Sequence, residues 1–287
     1  MPELILSGFG DEICDDFAGQ LDAMAQMGLQ YIDPRGVNGK NISELTPQEA
    51  AAARQMLDAR GFRVGCIGSP IGKYPIDKDF APELDRFQRT LDNTLALGAG
   101  SIRIFSFFIP AGHAPGEYRE AVMSRLARLL EASKGSGVML LHENEHGIYG
   151  DTAARCLDLA RTIADPRFGL IFDPCNFIFA GESPYPYAYE CLREHIFALH
   201  IKDGRKNPEQ VVPAGHGEGH IPELLHALHE SGFSGMATLE PHLGKFTGLA
   251  QFESVLSLDT MPDGGADLFR LALDEFKKTA AGSGYCL

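Results

Sequence analysis

No apolar run in the 287 residues approaches the roughly 20 that cross a bilayer, so no membrane-spanning helix is expected. None of the six cysteines, at 14, 66, 156, 175, 191 and 286, forms a CxxC pair. The opening stretch Met1-Pro2-Glu3-Leu4-Ile5-Leu6 lacks the basic region of a secretory signal and reads as a first strand. A cytoplasmic protein with reduced, structural thiols is the expectation. Long basic runs are also missing, and the net charge is −14, which argues against a nucleic-acid partner. No GxGxxG follows the first apolar segment, which weakens a dinucleotide-binding reading. No linker, low-complexity tract or charge block divides the chain, so residues 1–287 are read as one domain.

What is present is a repeated alternation. Hydrophobic residues make up 44% of the chain, enough for a large core. Strands are predicted at Leu4–Ser7, Gln30–Asp33, Arg63–Ile67, Ser101–Phe105, Val138–His142, Gly169–Asp173, Ile196–Ile201 and Met236–Leu239. Helical patterns lie between them near 15–27, 47–60, 82–97, 117–135, 151–164, 186–194 and 221–231, with a last one over 266–279. Gly28, Gly61, Gly98, Gly137 and Gly232 each follow a helical pattern and precede a strand, as left-handed caps do. Unbroken strand–helix alternation implies a parallel sheet covered by helices, and eight units favour closure. The fold class is α/β, a (β/α)8 TIM barrel. The segment 241–264 reads as a long loop after the eighth strand, placed to cover the site.

Chemistry in such a barrel sits at the C-terminal ends of the strands. Four consecutive apolar runs end in metal-capable residues. These are His142-Glu143-Asn144-Glu145-His146, Asp173-Pro174-Cys175-Asn176, His200-Ile201-Lys202-Asp203 and Glu240-Pro241-His242. Side chains alternate along a strand, so Glu143, Asp173, His200 and Glu240 can all point into the barrel mouth. One acidic residue after a strand is ordinarily a helix cap or a solvated loop residue. Four in register are harder to explain that way. Three carboxylates and an imidazole would repel one another without a cation among them, and an O3N set suits one divalent ion. Mn2+ is the first choice; Mg2+, Co2+ and Zn2+ stay open.

Other signals are weaker. Arg35, Lys202 and Arg205 are candidates to hold a phosphate, a carboxylate or an enediolate oxygen, although exposed loop cations are common. Glu145 flanks the ligand at 143. The run Gly215-His216-Gly217-Glu218-Gly219 looks like a phosphate loop but lacks the Walker lysine, and is read as a flexible connection.

These strand ends resemble the xylose-isomerase-like barrel superfamily, in particular its sugar phosphate isomerases/epimerases. The resemblance spans nearly the whole chain. It is carried by Ser7-Gly8-Phe9-Gly10-Asp11-Glu12, Leu141-His142-Glu143-Asn144, Phe172-Asp173-Pro174-Cys175-Asn176, His200-Ile201-Lys202-Asp203 and Leu239-Glu240-Pro241. In ketose epimerases of this group, the carboxylates matching Glu143 and Glu240 bind metal and also move protons, and Asp173 and His200 match the other ligands. Those enzymes carry a substrate-contacting histidine three residues after the aspartate. Here that position is Asn176, which hydrogen-bonds but does not shuttle protons at neutral pH.

The resemblance implies an isomerase or epimerase of a small sugar, sugar phosphate or polyol-derived ketone. Glu143 and Glu240 are the catalytic pair, and Asn176, Lys202, Arg205, Arg35 and Glu145 are substrate-binding candidates. A dehydratase of a related hydroxy-ketone and an endonuclease IV-like repair enzyme are the alternatives; a homo-oligomer is left open. Endonuclease IV uses three zinc ions and extra histidines. This chain reads Ser69-Pro70-Ile71-Gly72 and Phe105-Ser106-Phe107-Phe108 where two of those histidines would fall. Purified protein incubated with abasic duplex DNA is expected to leave it intact; specific cleavage that disappears in Glu240→Gln would reverse that assignment.

Overall fold

The computed structural model describes residues 2–247, 249 and 261–287. Each predicted strand is present: β1 (Leu4–Gly8), β2 (Tyr31–Ile32), β5 (Arg63–Val64), β6 (Ser101–Ile104), β7 (Met139–Glu143), β8 (Phe168–Phe172), β9 (Ile196–Ile201) and β12 (Gly235–Leu239). Six of them form one parallel sheet in the order β1-β12-β9-β8-β7-β6, and β2 pairs with β5. Backbone contacts outside the named strands close the ring. Asp33 N–H donates to Gly8 O at 3.0 Å on one side, and Ile67 bridges to Ile102 on the other. The fold is the expected TIM barrel.

Two features differ from expectation. The strands β2 and β5 are two residues long, and beyond them the barrel is continued by separate backbone bonds such as Gly68 N–H to Pro34 O at 2.9 Å. Two hairpins also emerge from loops: β3 (Gly36–Val37) with β4 (Lys40–Asn41), and β10 (Asp203–Lys206) with β11 (Glu209–Val212). The predicted helices are found as α1 (Phe17–Gln26), α2 (Pro47–Arg60), α3 (Ala81–Leu97), α4 (Arg119–Ala132) and α5 (Ala153–Ile163). A short α6 (Pro174–Phe179) follows β8. Next come α7 (Tyr189–Leu192), α8 (Ile221–Glu230) and a terminal helix, α9 (Ala266–Ala280). No helix among the described residues is long and apolar enough to cross a membrane. Of the predicted covering loop 241–264, residues 248 and 250–260 lie outside the described residues.

The barrel interior is layered by the two-residue period of its strands. A small apolar layer is made by Cys66, Leu141, Ile171 and Ala198, flanked by Met139 and Met236. Two residues further along three of these strands come Glu143, Asp173 and His200. Beside the apolar layer, the buried Asp33 accepts from Ser7 Oγ at 2.6 Å, the Cys66 amide at 3.0 Å and Thr238 Oγ1 at 2.8 Å. This links four strands, and two residues beyond Thr238 stands Glu240. Outside the barrel, an extensive apolar cluster that includes Phe17, Leu57, Phe87, Leu126, Leu159, Leu225 and Phe276 fills the space beneath the helices.

Gly72 locks the tops of the third and fourth barrel strands together. It adopts φ +89°, and a Cβ there would collide with the Phe105 carbonyl oxygen. Its own carbonyl accepts from Phe107 N–H at 3.0 Å, and Ile71 O accepts from Phe105 N–H at 2.8 Å. Alanine there combines left-handed strain with a backbone clash. Gly72→Ala should lower unfolding stability by about 2–4 kcal/mol, read from the midpoint in urea at unchanged m. A loss under 1 kcal/mol would show that the loop moves freely.

Candidate active site

Four side chains converge at the C-terminal mouth. Glu143, Asp173, His200 and Glu240 are all buried, and one potential ligand atom from each lies within 4.8 Å of all the others. His200 Nδ1 is 2.9 Å from Glu143 Oε1 and 3.0 Å from Glu240 Oε2. The hydrogen bond goes to Glu143, so the approach to Glu240 is an ion-pair contact. Asp173 divides its carboxylate. Oδ1 caps α6 by accepting from Asn176 N–H at 2.9 Å, so the ordinary capping role is real. Oδ2 faces the cluster and accepts no hydrogen bond, and neither does Glu240 Oε2. Both oxygens have only ion-pair contacts, and buried carboxylate oxygens that accept no hydrogen bond are costly. A divalent ion among the four residues would satisfy both, so the donor set fits such an ion.

A ring of cations supports this centre. Lys202 Nζ lies 3.2 Å from Asp173 Oδ2 and 3.7 Å from Glu240 Oε2. Arg103 Nη1 spans Glu143 Oε2 at 3.1 Å and Glu240 Oε1 at 3.6 Å. Arg35 Nη1 donates to Glu240 Oε1 at 3.0 Å, while its Nε and Nη2 donate to both oxygens of Asp11 at 2.9 and 3.0 Å. Nη2 also reaches Glu12 at 3.3 Å. Aromatic rings separate these guanidinium groups. Arg35 lies 4.4 Å from the centroid of Phe9 and 4.5 Å from that of Phe246, and Arg103 lies 5.0 Å from both Phe9 and Phe105.

The electrostatics follow from this packing. Burial alone would raise the Glu143 carboxyl, but His200 and Arg103 bring it down to about 2, against the repulsion of Glu240. Glu240 is likewise held well below its ordinary value: burial opposes, and Lys202, His200 and His242 overcome it. Asp173 goes the other way, to about 7, because burial and the two glutamates outweigh Lys202. Burial disfavours the charged imidazole of His200, yet the two glutamates lift it to about 10.

The remaining predicted residues divide. Asn176 joins the site, donating from Nδ2 to Glu143 Oε1 at 3.3 Å and to Asn144 O at 2.8 Å. Arg35 and Lys202 join it as ion-pair partners of the carboxylates. Glu145 stands to one side, paired with the nearly buried Lys73 at 2.6 Å. Arg205 does not join: it is exposed, and its guanidinium donates to His216 O at 2.8 Å. His142 faces away from Glu143 across the strand and bonds Ser106 Oγ at 2.9 Å; burial pushes its imidazole down to about 3.

The stretch Gly215–Gly219 is not the flexible connection expected. Its amides at Gly215, Gly217 and Gly219, with that of Gly204, donate to the buried Asp203 carboxylate at 2.8–3.0 Å. It does bind an anion, and the anion is the protein's own.

Arg103, Asp11, Glu12 and Phe9 were missed as site residues by sequence reasoning. Arg103 carried a readable signal, a charge in the middle of the apolar strand Ile102-Arg103-Ile104. Phe9, Asp11 and Glu12 stood in the motif that carried the family resemblance.

Comparison with known proteins agrees with this architecture. The family profile described as xylose isomerase-like TIM barrel matches residues 21–257. The chain belongs to the xylose isomerase-like TIM-barrel family. No curated protein sequence matches it. An L-ribulose 3-epimerase structure superposes with a TM-score of 0.77 at 16% identity, over 99% of this chain and 96% of that one. The D-allulose 3-epimerase from Methylomonas sp., in complex with D-allulose, gives 0.74 at 17% identity over 97% and 98%. The IOLI protein with a bound zinc atom gives 0.74 at 15% over 97% and 98%. At these identities the likeness is one of fold.

The proton on His200 occupies the nitrogen nearest both glutamates, so a metal taken up by this set must displace it. His200 is charged up to about pH 10 in the metal-free protein and is neutral as a ligand. Calorimetry in buffers of different ionisation enthalpy at pH 8 should therefore show about one proton released per ion bound, with apparent affinity rising about tenfold per pH unit. A pH-independent affinity between 7 and 9 would exclude His200 as a ligand.

Proposed function

We propose that the protein is a metal-dependent isomerase or epimerase of a small sugar, sugar phosphate or polyol-derived ketone, working by proton transfer through an enediolate. The observation that carries this reading is the buried set Glu143, Asp173, His200 and Glu240, with potential ligand atoms within 4.8 Å and two carboxylate oxygens that accept no hydrogen bond. These four residues would hold one divalent ion, with Mn2+ the first candidate and Mg2+, Co2+ and Zn2+ the others. When bound, that ion supplies Lewis-acid polarisation of a carbonyl and its neighbouring hydroxyl. Relatives of this fold described as an L-ribulose 3-epimerase and a D-allulose 3-epimerase support the substrate class, and the relative with a bound zinc atom supports a metal.

The chain's own groups perform the proton chemistry. Glu143 ends β7 and Glu240 directly follows β12, with β8 and β9 between them in the sheet. They reach the centre from different sides, and both are ionised at neutral pH. One removes the proton from the carbon beside the carbonyl and later releases it to solvent, and the other takes a proton from solvent and delivers it to the opposite face. Return to the same carbon gives epimerisation, and return to its neighbour gives aldose–ketose isomerisation. Lys202, Arg35 and Arg103 hold the carboxylates in place and offset the negative charge that develops on the substrate oxygens. Asn176 fixes Glu143 through its amide.

Glu143→Gln and Glu240→Gln should each reduce deuterium uptake from D2O into a sugar-like substrate by about 100-fold or more. Metal content is measured on each variant, so that lost proton transfer is separated from a lost ion. A wild-type enzyme that forms product with no deuterium uptake, under conditions where the abstracted proton equilibrates with solvent, would replace this mechanism with a hydride shift.

A further inference from the structure

We propose that Arg103 is a substrate-binding residue: the Nε–Nη2 edge of its guanidinium donates to a hydroxyl oxygen on a carbon that flanks the reacting carbonyl–hydroxyl pair. This rests on the isomerase/epimerase reading and gives a role to a part of the site that the reading leaves without one.

The starting point is an imbalance among the buried polar atoms around the carboxylate cluster. Four of them make no hydrogen bond among the described residues: Asp173 Oδ2, Glu240 Oε2, Arg103 Nε and Arg103 Nη2. The two acceptors are accounted for by a divalent ion. The two donors are not, because an N–H of a guanidinium needs an acceptor and a cation repels it. Arg103 is only 2% exposed, so bulk water does not serve them either. Buried donors without an acceptor are costly, and in a binding site the ligand is what completes them.

Arg35 shows the alternative use of the same group. It spends its Nε–Nη2 edge on both oxygens of Asp11, at 2.9 and 3.0 Å, and reaches Glu12 as well. Arg103 touches Glu143 Oε2 at 3.1 Å and Glu240 Oε1 at 3.6 Å through Nη1 alone. A compact ammonium would serve those two contacts. What arginine adds is the edge, a rigid pair of N–H groups matched to oxygen acceptors. The side chain also projects from a fixed base. Arg103 N–H donates to Ile67 O at 2.9 Å, and its carbonyl accepts from Ser69 Oγ at 2.5 Å. Phe9 and Phe105 stand against the guanidinium, each ring centroid 5.0 Å from Cζ, and neither ring supplies an oxygen.

Position decides which oxygen is meant. Nη1 touches both proton-moving glutamates, so the planar group lies beside the carbon that they share. Its open edge reaches groups attached next to that carbon. In a 2-ketose that epimerises at C3, these are the hydroxyls at C1 and C4.

Two measurements on protein loaded with Mg2+ test this. The first reads the edge directly by NMR, in protein with isotopically labelled arginine. Arg35 and Arg103 are the two buried arginines among the described residues, and Arg35→Lys removes the Nε–H signal of the former, which identifies the latter. Adding D-allulose or L-ribulose is expected to move the Arg103 Nε–H signal downfield and to slow its exchange with water. If deuterium enters the sugar from D2O and the signal does not move, the inference is overturned: internal water alone serves the edge, and the isomerase/epimerase reading stands. A shifted signal without deuterium uptake has the opposite meaning; the edge binds sugar, and that reading fails. If neither sugar gives a shift or uptake, both fail.

The second measurement compares the wild type with Arg103→Lys, metal content being checked on each, for D-allulose and its 1-deoxy, 4-deoxy and 6-deoxy analogues. In the wild type, the 1-deoxy or the 4-deoxy analogue should lose about 10- to 100-fold in kcat/KM for exchange, as loss of a hydrogen bond from a charged donor does. In Arg103→Lys the same analogue should lose less than about threefold, because the partner of the missing hydroxyl is already gone. Equal losses in the two proteins, or coupling confined to the 6-deoxy analogue, overturn the assignment. If Arg103→Lys fails to fold or to keep its metal, the signal in the wild-type protein decides.

Discussion

Three carboxylates held within 4.8 Å of an imidazole, and shielded from water, form the constraint around which the mouth of this barrel is arranged. Like charges at that separation in a poorly polarisable interior repel strongly. The protein answers with Arg35, Arg103, Lys202 and a proton on His200. These groups balance the cluster, and their positions set what else the mouth accommodates. Arg35 needs Asp11 and Glu12 as further partners, which draws the loop after β1 over the site. Arg103 must sit inside a barrel strand, which places a charge where aliphatic side chains normally pack.

Aromatic rings make that arrangement tolerable. Phe246, Phe9 and Phe105 alternate with Arg35, Arg103 and Lys73 around one half of the mouth, each cation lying 4.4–5.0 Å from a ring centroid. The rings exclude water while presenting negative faces, so the cations stay apart from one another without losing electrostatic support. The other half, built from β7, β8, β9 and β12, carries Glu143, Asp173, His200 and Glu240. The mouth is thus divided between a cation–aromatic wall and a carboxylate–imidazole wall, with Glu143 and Glu240 touching both.

Much of this was legible in the sequence, for a local reason. Glu143, Asp173, His200 and Glu240 each follow an apolar strand directly, and the two-residue period of a strand carries such positions to one side without any knowledge of the rest of the fold. The glycine caps and the strand–helix alternation are local in the same sense. What could not be read depended on distant pairing. Arg35 meets Glu240 across 205 positions, and Asp203 meets Gly219 across 16. The brevity of β2 and β5 also escaped, because nothing in Gln30–Asp33 or Arg63–Ile67 distinguishes a two-residue pairing from a longer one. Arg205 looked like a site residue by its nearness to His200, but the hairpin from Asp203 to Val212 turns it outward.

Asp203 bears on how the mouth keeps its shape. Loops that fold around a bound anion are ordered only while that anion is present, and they loosen as its concentration falls. Here the anion is tethered to the end of β9, and its effective concentration is set by covalent connection rather than by supply. The stretch from Gly215 to Gly219 therefore stays assembled whatever the metabolic state of the surroundings. Its order is set by the fold itself and not by any bound small anion.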